Sequence, residues 1–179
     1  MKWTKLAILA LAFGAVFALG ACTSESTRAD LIVVSINGGH TFFSDLINEA
    51  DSSHIYIPAD EVPIVLTNRQ HDSGAPLNSG TPFSEIVVTG YSITFDGGVP
   101  GPISGGMNLL VPSGQEVSAT VALDNLADKA SIPISAVITT TAHLHFNGYL
   151  RIAGQNGDQV NTLAHLSVSF ANFGDQQTF

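Results

Sequence analysis

The stretch AHLHFNG, residues 142–148, carries two imidazoles one residue apart. Successive side chains on a strand point to opposite faces, so His143 and His145 share one face while Ala142, Leu144 and Phe146 share the other. The apolar set needs a core, which turns both imidazoles outward. Further along, Leu166, Val168 and Phe170 claim the inner face of a second run and turn His165 outward as well. Three neutral imidazoles on one sheet face have the ligand chemistry for zinc or copper, at about 2.0–2.1 Å per nitrogen. The other reading is a solvated face, populated by these histidines with Thr139, Thr141 and Ser167. A hairpin closing around Asn156-Gly157, a strong turn pair, sets His165 opposite Asn147 and diagonal to His145.

Carboxylates offer a second chemistry. FDGG (95–98), NGDQ (156–159) and PADE (58–61) place acids in turns where carbonyls are at hand, an oxygen-rich setting of the kind calcium takes. None has EF-hand spacing, and aspartate favours turns for its own hydrogen-bonding reasons. Catalytic signatures are missing. There is no G-x-S-x-G elbow (GPISGG, 101–106, has the wrong spacing), no H-E-x-x-H, no P-loop and no G-x-G-x-x-G. Asp60 and Glu61 are adjacent, fall on opposite strand faces and make no glycosidase pair. The chain reads as a non-enzymatic protein.

The elements that must position these residues are strands. Gly, Pro, Asn and Asp punctuate short runs rich in Val, Ile, Thr and Phe. LIVVSIN (31–37) is a first strand and VPIVLTN (62–68) a second, with Pro63 confining its start to an edge or bulge. Between them, Ser44 is read as the cap of a helical turn running to Ala50. In SEIVVTGYSITF (84–95), Ile86 and Val88 have one parity and Tyr91, Ile93 and Phe95 the other. A bulge at Thr89–Gly90 returns both halves to one face. GGVPGPISGGMNLL (97–110) reads as a Gly/Pro-rich loop, with Val99, Ile103 and Met107 either pinning it or forming a partner-binding tip, and it leads into a short strand at 107–111. EVSATVAL alternates with Val117, Ala119, Val121 and Leu123 inward. DNLADKAS is a loop or single helical turn, and two long strands follow at 134–152 and 160–173. About seven strands without a long amphipathic helix predict an all-β fold, an antiparallel β-sandwich of immunoglobulin-like kind.

The N-terminus differs from all of this. Lys2 and Lys5 precede an uncharged apolar run, Leu6 to Leu19, and then small residues and Cys22, the only cysteine. That is signal-peptide anatomy, and the run is short for a membrane span of about 20 residues. Leu19-Gly20-Ala21-Cys22 resembles the lipobox of bacterial lipoprotein precursors. The resemblance implies cleavage before Cys22 and covalent lipid on its sulfur and new amino group, including palmitate, with no other cofactor. It gives a signal peptide over 1–21, a lipidated Cys and polar tether over 22–30, and a β-sandwich domain over 31–179. Thr23 after the cysteine resembles the lipoproteins sorted to an outer membrane in bacteria with two membranes. The alternative is ordinary cleavage, leaving a free thiol. The order IYIPADEVPIVLTNR, FSEIVVTGYSITF, VPSG and VSFANFGD also resembles small envelope lipoproteins of unassigned function, which implies fold and location but no activity.

Without residues 1–21, four basic residues face fifteen acidic ones, a formal charge of −11. Such a surface repels phosphate backbones and argues against nucleic-acid partners. The expected partners are the membrane, through the anchor, and an envelope protein, which would make the chain a binding or structural module. Divalent-metal binding through His143, His145 and His165 is the alternative, and calcium loops or an unrecognised enzyme a further one.

Overall fold

The computed structural model describes residues 29–70, 85–152 and 154–173. Cys22 and the apolar N-terminal run lie outside the described residues. Eight strands form two sheets: β1 (Ala29–Ile36), β2 (Phe42–Asp45), β3 (Glu61–Gln70), β4 (Glu85–Phe95), β5 (Ile103–Pro112), β6 (Glu116–Ala122), β7 (Ile138–Ile152) and β8 (Gln155–Ala171). One sheet has the order β1-β3-β6 and the other β2-β8-β7-β4-β5. The expected sandwich is realised as three strands over five.

Alternation builds the core. Val62, Ile64 and Leu66 of β3 are fully buried and meet the inner faces of β4 (Ile86, Val88, Ile93), β7 (Leu144, Phe146) and β8 (Val168, Phe170) in one continuous cluster. The parity change in β4 has the expected cause. Val88 pairs with Gly148 but Gly90 with Asn147, so Thr89 is the extra residue of a bulge, and Ile86 and Ile93 both reach the core. Pro63 sits where β3 has one neighbour, because the β1 register ends at the Ile36–Ile64 pair. β1 begins at Ala29, so two residues of the segment read as tether, Ala29 and Asp30, belong to a strand.

Four local expectations are corrected. The stretch read as a helical turn from Ser44 instead opens as β2, which pairs parallel with β8 through Phe42–Val168 and Asp45–Ala171. Among the named strands it is the one parallel pairing, and it supplies the eighth strand. Ser44 is fully buried and donates its hydroxyl to Asp60 rather than capping a helix. β5 starts at Ile103, so half of the predicted Gly/Pro loop is strand. The long strands are displaced: β7 starts at Ile138, leaving Ile134 and Val137 exposed, and β8 starts at Gln155.

Between β6 and β7 lies one short helix, α1 (Leu126–Ala130), capped by Asn125, whose side chain accepts from the Ala127 N–H at 2.9 Å. The turn directs Lys129 inward, where it is 1 % exposed. Its Nζ donates to Asp60 Oδ2 at 2.8 Å and to the Pro58 carbonyl at 2.7 Å. Asp124, two residues past the end of β6, is buried beside this pair.

Candidate functional site

β7 and β8 form the long central hairpin of the five-stranded sheet, and its outer face carries the predicted histidines. His143 and His165 are direct cross-strand partners. Their rings meet edge to face with centroids 4.8 Å apart, and the two Nδ1 atoms are 2.8 Å apart. On the other side of His143, Nε2 lies 2.8 Å from Asp96 Oδ1.

Asp96 reaches this position through the turn that ends β4. The segment Asp96–Gly98 makes a 3₁₀ turn in which Gly97 takes φ +80°, a left-handed conformation that glycine adopts without steric cost. Thr140 Oγ1 donates to the Asp96 carbonyl at 2.9 Å and ties the turn to β7. The hydrogen bond from His143 holds the Asp96 carboxyl below its ordinary value.

One proton order compatible with these contacts is simple. A neutral His143 that donates from Nε2 to Asp96 presents a lone pair at Nδ1, so it accepts from His165 Nδ1–H. The remaining lone pair of the relay is then Nε2 of His165, a residue exposed to solvent.

His145 stands apart. Its neighbours across the sheet are Ser92 and Leu163. It lines a polar depression of about 240 Å³ with Thr89, Asn147, Tyr149, Gln159 and Asn161. The bulge residue Thr89 is part of its lining, and Asn147 Nδ2 donates to Thr89 Oγ1 at 3.2 Å.

The difference from the predicted geometry is a matter of register. The hairpin turns between Ile152 and Gln155, with Gly154 at φ +81°, rather than around Asn156-Gly157. His165 therefore faces His143, and Asn147 faces Asn161. Two of the three imidazoles come together with Asp96 while His145 does not join them. Among the described residues no group of three or more His, Cys, Asp or Glu is placed to hold a metal ion.

Two of the acidic turns proposed for calcium are otherwise engaged. Asp96 is bonded to His143, and Asp60 is buried against Lys129 and Ser44. The role of Asp96 as histidine partner, and the buried group of Ser44, Asp60, Asp124 and Lys129, were missed in the sequence, where a lone lysine in a polar loop carries no periodic signal. No protein-family profile matches this chain, and no curated protein matches it.

Proposed function

We propose that this protein is a lipid-anchored binding module of a bacterial cell envelope. It is held at the membrane, the outer one where there are two, by acyl chains on Cys22. It takes an extended segment of an envelope protein along the free edge of β5. The observation that carries the reading is that edge. β5 ends the five-stranded sheet with β4 as its one neighbour in that sheet; Asn68 of β3 donates to the Val111 carbonyl at its far end, and the stretch before that, ISGGMNLL, includes no charged side chain. Ser104, Gly106, Asn108 and Leu110 are exposed along it. Edge strands are ordinarily blunted by lysine, bulges or proline within the strand; here there is no lysine and the proline stands at the last position, while the register with β4 shifts once, between Val88–Leu109 and Gly90–Gly106. A peptide added to such an edge gains main-chain hydrogen bonds, with pockets for alternate side chains setting specificity.

Crosslinking on intact cells, followed by affinity capture, tests the reading. The double variant Ser104→Lys/Asn108→Lys should reduce partner capture by about tenfold or more, the equivalent of some 1.4 kcal/mol, with an unchanged circular dichroism spectrum. Equal capture by this variant rejects the edge. Labelled palmitate that enters Cys22→Ala as well as the wild type rejects the anchor.

A second reading, divalent-metal binding, is favoured by one observation. His143 and His165 point paired nitrogens at each other, and Asp96 supplies the carboxylate that commonly orients a ligating histidine from behind. A zinc or copper ion would take the place of the proton shared between the two Nδ1 atoms, opening them from 2.8 Å to about 3.3 Å, the spacing of two tetrahedral nitrogen ligands. The expected result is a rise in melting temperature on titration with zinc or copper(II). The rise should vanish in His165→Ala and persist in His145→Ala. A rise that depends on His145 instead refutes the pairing.

A further inference from the structure

We propose that Lys129 and Asp60 condense into an intramolecular amide, with Asp124 moving the protons. The side chains are already in place. Lys129 is among the largest fully buried side chains of the described residues, and its Nζ lies 2.8 Å from Asp60 Oδ2. Asp60 is 7 % exposed, and Ser44, fully buried, donates its hydroxyl to the same Oδ2. Asp124 is 7 % exposed, and neither of its carboxylate oxygens has a hydrogen-bond partner among the described residues. A hydrogen bond from the Leu123 N–H to the Asp60 carbonyl at 2.9 Å locks the end of β6 to the start of β3, so Asp60 and Asp124 are held together by backbone.

Physical chemistry favours the reaction here. An ion pair removed from water retains a desolvation cost of several kcal/mol per ion, and a neutral amide with one N–H to satisfy removes both charges. The Pro58 carbonyl, 2.7 Å from Nζ, is in place to accept that N–H. Fixed proximity is equivalent to an effective concentration on the order of 10⁵–10⁸ M. Burial, first, and then the charge of Asp60 push the Asp124 carboxyl up to about 7, so it holds a proton near neutrality where an ordinary carboxyl does not.

The step balances without an added reagent. The Lys129 ammonium gives one proton to the Asp60 carboxylate, leaving a neutral amine and a neutral acid. The amine lone pair attacks Cγ and the C–N bond forms, the negative charge developing on the oxygen that is kept, while Ser44 holds Oδ2, the oxygen that has taken the Lys129 proton and departs. Asp124 gives its proton to the departing hydroxyl, the C–O bond breaks and water leaves. Asp124 then takes a proton back from the nitrogen. Nothing is oxidised or reduced, and Asp124 ends as it began.

Mass spectrometry of the folded, purified chain decides the matter after denaturation and trypsin. Trypsin does not cut after an acylated lysine. The expected product is therefore peptide 29–69 joined to peptide 70–151, lighter than their sum by one water. Lys129→Arg keeps the cation but cannot form this amide, and Asp124→Asn lacks the proton carrier. Both should yield separate peptides. Free peptides 29–69 and 70–129 from folded wild-type protein overturn the proposal and leave an ordinary ion pair. A joined product in Asp124→Asn, formed as fast as in wild type, overturns the role given to Asp124.

Discussion

Replacing Lys129 by methionine should destabilise the protein by about 3–5 kcal/mol, the cost of leaving a buried partner without its counter-charge. Methionine matches the length of the lysine stem, so packing is largely kept and the loss isolates the ammonium. Asp60 then sits 7 % exposed with Ser44 as its one remaining side-chain hydrogen-bond donor among the described residues, and Asp124 loses the nearby positive charge that lowers its value. The sign of the pH dependence follows. Asp124 already stands at about 7 against an ordinary 3.8. A carboxyl raised by folding keeps a proton that the unfolded chain releases, so its contribution to stability is lost as pH rises between those two values. The urea midpoint of Lys129→Met should therefore fall as pH is raised from about 4 to 7. A midpoint within error of wild type at neutral pH would show that Lys129 is not a structural cation. Where the amide has formed, the wild type gains further. A crosslink between residues 69 apart in sequence removes about 4 kcal/mol of loop entropy from the unfolded chain.

The second large effect lies at Gly148. A Cβ there would stand 2.3 Å from the Val87 carbonyl oxygen and 2.9 Å from Val88 Cα. Both obstacles are backbone of β4, a central strand, and cannot swing aside as a side chain would. Gly148→Ala should force β4 from β7 and cost about 3 kcal/mol or more. The same substitution at Gly106 meets nothing within 4 Å and should stay within about 0.5 kcal/mol of wild type. Thermal melts of the two variants provide the check. Because Gly148 follows Asn147 and faces the bulge, the damage should also reach the depression that holds His145, seen as altered His145 ring shifts by NMR.

Side-chain parity carried much of the fold into view. The bulge at Thr89–Gly90 and the outward direction of His143, His145 and His165 follow from which positions are apolar. Register did not follow, for a definite reason. Turning the hairpin between Ile152 and Gln155 instead of around Asn156-Gly157 moves the partner of His165 from Asn147 to His143. That is an even displacement, which leaves every residue on the face it already had. Alternation is blind to such a slip, and the Asn-Gly pair that pointed to the turn lies instead where the β7–β8 register shifts. β2 was hidden differently: four residues are too few to show a period, and its partner lies more than a hundred residues away. The grouping of Asp60, Asp124 and Lys129 depends on the meeting of β3, β6 and α1, and only the folded chain shows it.

β8 has an implication for the order of events in making this protein. It lies between β2 and β7 and also packs against β1, so the N-terminal strands receive one of their walls from the last part of the chain. A polypeptide halted before residue 155 has no central hairpin and cannot close its sandwich, because contacts spanning most of the sequence form last. Such a chain stays open until β8 has been made.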